Sequence, residues 1–467
     1  MNRNAHEEKK EADRLRRIRE LTRLRTDRIY LGIVIGDRAV AMGLAHVDPL
    51  RHLLMMRQRV APMTLGRGCQ PSIPQMRDGL LECWDGLGGE RLEYSECLLC
   101  LPPWATARLE VTESISIRPA WGRSDRAYPR VSDADVLRAQ QALWRKNTPP
   151  ARVATRVLPR AYVLEGGRRV ADPRGEITRG LDLHGQLELA DAGIARTLLD
   201  ALASMGLRVD LMASPQGAVD ALLRGEEDAA DSAVVEIGPR STGFSFRQDG
   251  AALHVEHLPR GADEVLANTA ARLRTDLRGL EACLEARRDW LLDAKACAAK
   301  TLPLWPEPND SAFSVRRVHE ALLREAGAHF ALVSERLEAA RRERGLRTDR
   351  LFLAGDEPVV VDAVARVASA LHPGRCQVLR SPWQAGGPDQ AGTPGRTRMA
   401  GLLLLGALGA PVLQPFLASY NGDPKDPAYR VFAEDSQWAL RRLASGWRRF
   451  VVPSARRTAL RIMQLFM

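Results

Sequence analysis

Residues 234–246 read VVEIGPRSTGFSF. Val234, Val235 and Ile237 make a short apolar strand that runs into Gly238 and a Ser-Thr pair. The chain then resumes an alternating strand and turns at Asp249-Gly250. A turn between two strands can present backbone N–H groups to an anion, so this stretch has the shape of a phosphate-binding hairpin. Pro239 and Arg240 stand where such a turn usually has glycines. Proline has no N–H to donate, and arginine brings a Cβ to a place where close backbone approach needs glycine. The shape is kept while the donors are eroded.

The same shape recurs. Residues 28–36, RIYLGIVIG, form a strand that reaches Gly36, with Asp37 and Arg38 in the turn and AVAMGLAHV as the returning strand. Residues 350–355, RLFLAG, form a strand that enters a turn at Gly355-Asp356-Glu357 and leads to a helix at 358–371. Two halves that each offer a glycine turn to a central cleft predict an α/β protein of actin-like, two-lobed plan: a duplicated ribonuclease-H-like core.

Length and composition agree with such a protein. The chain has 467 residues, 45% hydrophobic and 27% charged, enough for two to four domains with a large core. The net charge of +10 is carried mostly by arginine. That suits an anionic lipid surface or an acidic protein tail. No aromatic-studded basic sheet or recognition-helix motif accompanies it, so nucleic acid is not expected as a partner. The opening MNRNAHEEKKEADRLRRIREL mixes acids and bases and reads as a charged extension, not a signal peptide. The run at 399–413 is too short and too broken by Gly and Pro to span a bilayer, and reads as a buried helix. Seven irregularly spaced cysteines suggest no disulfide framework, and the Cys97–Cys100 pair reads as buried strand. No nucleophile–base–acid set and no metal cluster stands out, so no catalytic and no metal residue is assigned.

The organisation reads as follows. A charged extension (1–27) precedes the first part of lobe I (28–103). Residues 104–190 change character: SDADVLRAQQALW starts like a helix N-terminus, and strands joined by Gly-Gly and Asp-Pro turns follow. This predicts an inserted small α+β subdomain. Lobe I resumes at 191–230; lobe II covers 231–417 and includes a helical subdomain at 262–345. Residues 418–446 have linker chemistry, and 447–467 form a tail.

Several of these segments, in this order, resemble the bacterial cell-division family FtsA of actin-like membrane tethers. VLPRAYVLEGGRRVADPRGEITRGLDL resembles the family's 1C (SHS2-like) segment, with its Leu-Pro, Asp-Pro-x-Gly and Gly-x-x-Leu signposts. ALASMGLRVDLMASPQGAVDALL resembles the helix–strand–helix before the second phosphate loop, HLPRGADEVLANTAARL the segment after it, and RTRMAGLLLLGAL the late buried helix. The resemblance implies nucleotide contacts at Gly36, Asp37, Arg38, Gly238, Arg240, Ser241, Thr242 and Gly355, with ATP and Mg²⁺ as the cofactor.

The departures fall on those loops. The family has an Asp two residues before the first turn glycine, and here it is Val34. Where the family has Asp-Ile-Gly-Gly-Gly-Thr-Thr-Asp, this chain runs from Glu236 to Gly243 as Glu-Ile-Gly-Pro-Arg-Ser-Thr-Gly. Two carboxylates that would help position hydrated Mg²⁺ are gone. Arg240 could pair a phosphate directly, but hydrolysis is not expected; the alternative is that these turns only close the core and bind no cofactor.

The tail, WRRFVVPSARRTALRIMQLFM, reads as an interfacial membrane helix. After Pro453, Ser454 can cap a helix whose spacing puts Ala459, Ile462, Met463 and Phe466 on one side. Arg456, Arg457 and Arg461 lie toward the other, and Trp447 and Phe450 flank Arg448 and Arg449 upstream. The resemblance then implies a peripheral protein on the cytoplasmic side of the bacterial inner membrane at the septum. Its partners would be an FtsZ-like filament, an anionic membrane surface and further copies of itself. A PilM-like scaffold of a pilus or secretion platform shares the fold, but usually lacks the amphipathic tail and the Asp-Pro-x-Gly segment.

Overall fold

A computed structural model describes residues 28–47, 53–63, 71–89, 92–117, 129–223, 231–248, 251–286, 315–346, 348, 350–372, 375–379, 396–408 and 414–421. The extension 1–27, most of the linker and the whole tail 447–467, including Trp447, Arg448, Arg449, Phe450, Ala459, Ile462, Met463 and Phe466, lie outside the described residues.

Two five-stranded sheets share one topology. In the first, β1 (Arg28–Ile35) has β2 (Ala39–Val47) and then β3 (Leu53–Pro62) antiparallel on one side. On its other side lie β4 (Glu96–Cys100) and then β9 (Leu211–Ala213), both parallel. The second sheet repeats this order with β12 (Ala251–Leu258), β11 (Thr242–Gln248), β10 (Ser232–Ile237), β13 (Arg350–Gly355) and β14 (Cys376–Val378). The central strands β1 and β10 are apolar almost throughout, because both faces of each sheet are covered.

Helices clothe the outer faces. On the first sheet these are α1 (Ile73–Leu87) and α3 (Ala192–Ser204). Ser72 and Gln75 form a capping box at the start of α1, and Gly88 in the left-handed region ends it. On the second sheet they are α5 (Ala262–Leu273), α6 (Leu277–Ala286), α7 (Val315–Arg344) and α8 (Pro358–Leu371). Val318, Leu322, Ala326, Phe330 and Val333 form the buried stripe of α7, at the spacing of one helix face. Cys97 and Cys100 are buried in β4, and burial pushes both thiols up.

Residues 106–191 form a third sheet of their own, in the order β5 (Thr106–Ser116), β8 (Gly180–Asp191), β6 (Arg152–Leu164) and β7 (Arg169–Val170). All its pairings are antiparallel. The helix α2 (Asp133–Asn147), opened by a capping box of Ser132 and Asp135, covers it with Val136, Ala139 and Leu143.

Between the two main sheets lie α4 (Pro215–Leu222) and α9 (Arg396–Leu408). Val219 of α4 packs with Val234, Phe352 and Ala354 on the inner face of the second sheet. Met399, Leu402 and Leu403 of α9 pack with Tyr30, Val34 and Leu98 on the inner face of the first. Residues 396–408, expected within lobe II, therefore return to lobe I, because the inner face of the first sheet supplies their apolar partners. The helix α10 (Pro415–Asn421) does the same through Leu417, so positions 418–421 are helical and not the start of a linker.

The two middle helices touch at Gly401, where an added Cβ would overlap the Ala218 carbonyl oxygen. Gly401→Ala is expected to destabilise the protein by about 1–3 kcal/mol through overpacking, despite alanine's better helix propensity. Gly180→Ala, with no atom within 4 Å of its added Cβ, should stay within about 0.5 kcal/mol. The midpoints of urea unfolding compare them, and equal shifts would refute this packing argument.

Candidate functional site: the two hairpins and the buried charges around them

The β1–β2 and β10–β11 turns are built alike. Ile35 pairs with Val40 and Ile237 with Thr242. Each turn is closed by its glycine, the Gly36 N–H donating to the Ala39 carbonyl at 2.9 Å and the Gly238 N–H to the Ser241 carbonyl at 2.9 Å. The two central residues are Asp37-Arg38 in one and Pro239-Arg240 in the other. Pro239 suits the first central position of a tight turn, since its ring fixes φ there.

The hairpins face each other across the lobes. The Asp37 carboxylate is buried beneath the Arg240 backbone N–H, which donates toward it. Burial pushes the Asp37 acid up, and Arg398 and the Arg240 N–H pull the other way. At the rim, Arg38 reaches Asp263 at 2.8 Å and Glu281 at 3.9 Å, and Arg240 reaches Asp263 at 3.9 Å. The first N–H groups of α5 are engaged as well: Ala262 donates to the Gly238 carbonyl at 2.9 Å and Asp263 to the Pro239 carbonyl at 2.8 Å.

At the centre lies Arg398, 2% exposed, from the first turn of α9. Its Nε donates to Glu236 Oε1, and its Nη1 is 3.8 Å from Asp356 Oδ2. The neighbouring Thr397 hydroxyl donates to the Gly355 carbonyl at 3.1 Å. Burial alone would push the Arg398 pKa down, but Glu236, Asp356 and Asp37 outweigh it and raise it. The guanidinium therefore stays charged. One guanidinium faces these acids inside the cleft, while Arg38 and Arg240 add two cations at its rim. A divalent cation would have to compete with Arg398 for the carboxylates.

The expected nucleotide-contacting residues thus divide. Gly36, Asp37, Arg38, Gly238, Arg240 and Gly355 converge on one site, and Ser241 closes the second turn through its carbonyl. The Thr242 hydroxyl is turned into lobe II: it donates to the Arg260 carbonyl at 2.8 Å and so accepts from His329 Nε2 at 2.9 Å. Val34 is buried under α9. At Gly243 the Gln216 amide occupies the space that a side chain would take, so an acid there would have to displace it. Arg398 is the residue missed in the sequence. Its signal was a cation in the first turn of a helix, where the macrodipole disfavours it.

A second buried charge cluster joins the third sheet, α4 and the second sheet. Glu188 of β8 is 0% exposed. It accepts from Arg108 Nη2 at 2.7 Å, from Arg156 Nη1 at 3.3 Å and from the Ser214 hydroxyl at 2.9 Å. Arg108 also binds Asp220 Oδ2 at 2.8 Å, and Arg247 of β11 donates to the Asp220 carbonyl at 3.2 Å. The insert, α4 and lobe II are therefore linked through charged groups. Burial would raise the Glu188 acid, but Arg156, Arg108 and Ser214 hold it down at about 2.

No family model matches the chain. It is similar to the cell division protein FtsA of Bacillus subtilis (strain 168), 24% identical over 148 residues, 32% of this chain and 34% of that protein. It is similar to the FtsA of Enterococcus hirae at 24% over 153 residues, 32% of this chain and 35% of that protein. The match therefore spans about a third of the length of these curated relatives. Among solved structures, the PilM-PilN type IV pilus biogenesis complex superposes with a TM-score of 0.53 at 15% identity, covering 82% of this chain and 99% of that chain. The resemblance read in the sequence is borne out, and the fold is actin-like.

Glu188→Gln is expected to destabilise the protein by about 3–5 kcal/mol at neutral pH, because it strips the charge that two buried arginines face. The folded acid at about 2 lies below the ordinary value of about 4.3. Its contribution is thus complete above the ordinary value and lost as pH falls through the folded one. Thermal unfolding of the two proteins should differ most at neutral pH and converge toward pH 2. A gap that is constant down to strongly acid pH would contradict this assignment.

Proposed function

We propose that this chain is an FtsA-like actin-fold protein of bacterial cell division, which tethers an FtsZ-type filament to the inner face of the plasma membrane. The observation that carries this reading is the sequence similarity to FtsA proteins of two organisms. The sequence of 447–467 supports it with an apolar face, a basic face and aromatic anchors. Among the described residues, no helix is long and apolar enough to cross a membrane. In this reading, attachment is peripheral, to the anionic cytoplasmic leaflet at the septum, and copies of the chain associate on it. The separate sheet of 106–191 is the counterpart of the family's 1C subdomain and carries partner contacts.

The second reading is a PilM-like scaffold of a pilus or secretion platform. It is favoured by the match to the whole chain in the PilM-PilN complex, 99% of which is covered. The tail separates the two readings. Burying a side chain such as Ile462 or Phe466 contributes about 1.5–3 kcal/mol, and each arginine near an anionic leaflet about 1 kcal/mol. The protein should co-sediment with anionic liposomes, release with salt, and lose binding in Ile462→Glu/Phe466→Glu with its thermal stability unchanged. Equal pelleting of that double variant, or a loss of its stability, would remove the tether reading.

If a nucleotide binds in this reading, it is ATP with Mg²⁺, and Gly36, Gly238, Arg240, Ser241 and Gly355 are the residues that would face its phosphates. Turnover is a different matter, because Val34 and Gly243 stand where the family has acids. No Mg²⁺-dependent ATP hydrolysis is expected in a phosphate-release assay. Turnover that disappears in Glu236→Ala would show the opposite.

A further inference from the structure

The buried charges between the hairpins belong to different bodies. Asp37 sits on the β1–β2 turn of lobe I, whereas Glu236 and Asp356 sit on β10 and the turn after β13 of lobe II. Arg398 rises from α9, whose apolar face is anchored on lobe I. Its Nη2 lies 3.1 Å from where a Cβ of Gly238 would stand, so the guanidinium lies against the second hairpin turn. The hairpins are also joined directly, through the Arg240 N–H and the Asp37 carboxylate. Among the described residues, Asp37 Oδ2 has no hydrogen-bond partner, and Arg398 is its main counter-charge.

We propose that Arg398 is a built-in cation of the cleft, which ties its own helix, anchored on lobe I, to the carboxylates of lobe II and holds the lobes closed without nucleotide. Here one guanidinium, carried by the chain itself from a helix on lobe I, pairs Glu236 of β10 and Asp356 after β13, both in lobe II. The cation sits in a helix's first turn, where local electrostatics oppose it. Only the carboxylates across the cleft stabilise it there, and that makes the contact a fixed part of the closed form. The inference holds whether the partner outside is a filament or a pilus component.

Hydrogen–deuterium exchange on the full chain tests it, read on peptides that cover both hairpins. In wild type, the amides of Gly36, Gly238 and Arg240 should exchange slowly without nucleotide, and millimolar ATP with Mg²⁺ should leave them unchanged. Arg398→Met should speed exchange in both hairpins by at least tenfold, while β4 and β13 change far less. Arg398→Lys keeps the charge without the planar fork and should fall between. Asp356→Asn, which leaves the guanidinium in place, should loosen the hairpins less than Arg398→Met does. If ATP with Mg²⁺ slows hairpin exchange in wild type by more than tenfold, nucleotide closes the cleft and the proposal is wrong. Unchanged exchange in Arg398→Met overturns it equally. Should that variant fail to fold, the wild-type comparison and Arg398→Lys still decide, the latter expected to speed hairpin exchange above wild type and overturning the proposal if it does not.

Discussion

A guanidinium buried between two lobes must be matched by charge from both, and Arg398 meets that demand with Glu236, Asp356 and Asp37. Removing an arginine-sized cation from water costs several kcal/mol unless close carboxylates replace its hydration. The replacement requires that the two turns face each other, that α9 lie along the inner face of the first sheet, and that its first turn point at the end of β13. Each of these is a feature of the global arrangement. The counter-charges of the guanidinium are groups of the chain itself.

The duplication explains why the two turns can meet so symmetrically. Both sheets place a hairpin at the same edge of the same central strand, with Gly36 and Gly238 closing their turns by the same hydrogen bond. The middle helices are then fixed by packing. Val219 and its neighbours fill the inner face of one sheet, Met399 and Leu403 the other, and Gly401 lets the helices approach. Gln216, on the same helix as Asp220, reaches over Gly243. One short helix thus presents one side chain to the hairpin site and another to the cluster around Glu188. The insert and the cleft are mechanically connected through α4, whichever partner the insert serves.

Much of this was legible in the residues because it is local. The apolar runs of β1 and β10, the glycine turns, the capping residues Ser72 and Ser132, and the Gly-Gly and Asp-Pro turns of the insert each act over a few positions. Their order in the chain sufficed to predict two lobes, a duplicated core and an inserted sheet. The convergence of Gly36, Asp37, Arg38, Gly238, Arg240 and Gly355 on one site follows from that topology. The erosion of the phosphate loops was equally plain, since Pro239 announces a missing N–H donor.

What fills the cleft was not legible. Glu236 and Arg398 stand 162 residues apart, and nothing in either neighbourhood specifies the other. The same holds for Glu188, which reads as a polar position in an apolar strand until Arg108, Arg156 and Ser214 close around it. Thr242 was expected at the phosphates, and the fold turned its hydroxyl to His329. The elements, their order and the wear on the loops follow from the residues alone, because propensity, periodicity and turn chemistry act between near neighbours. That α9 returns to lobe I and delivers a cation to the hairpins follows from the folded chain, because buried charge pairing depends on which distant groups packing brings within a few ångströms.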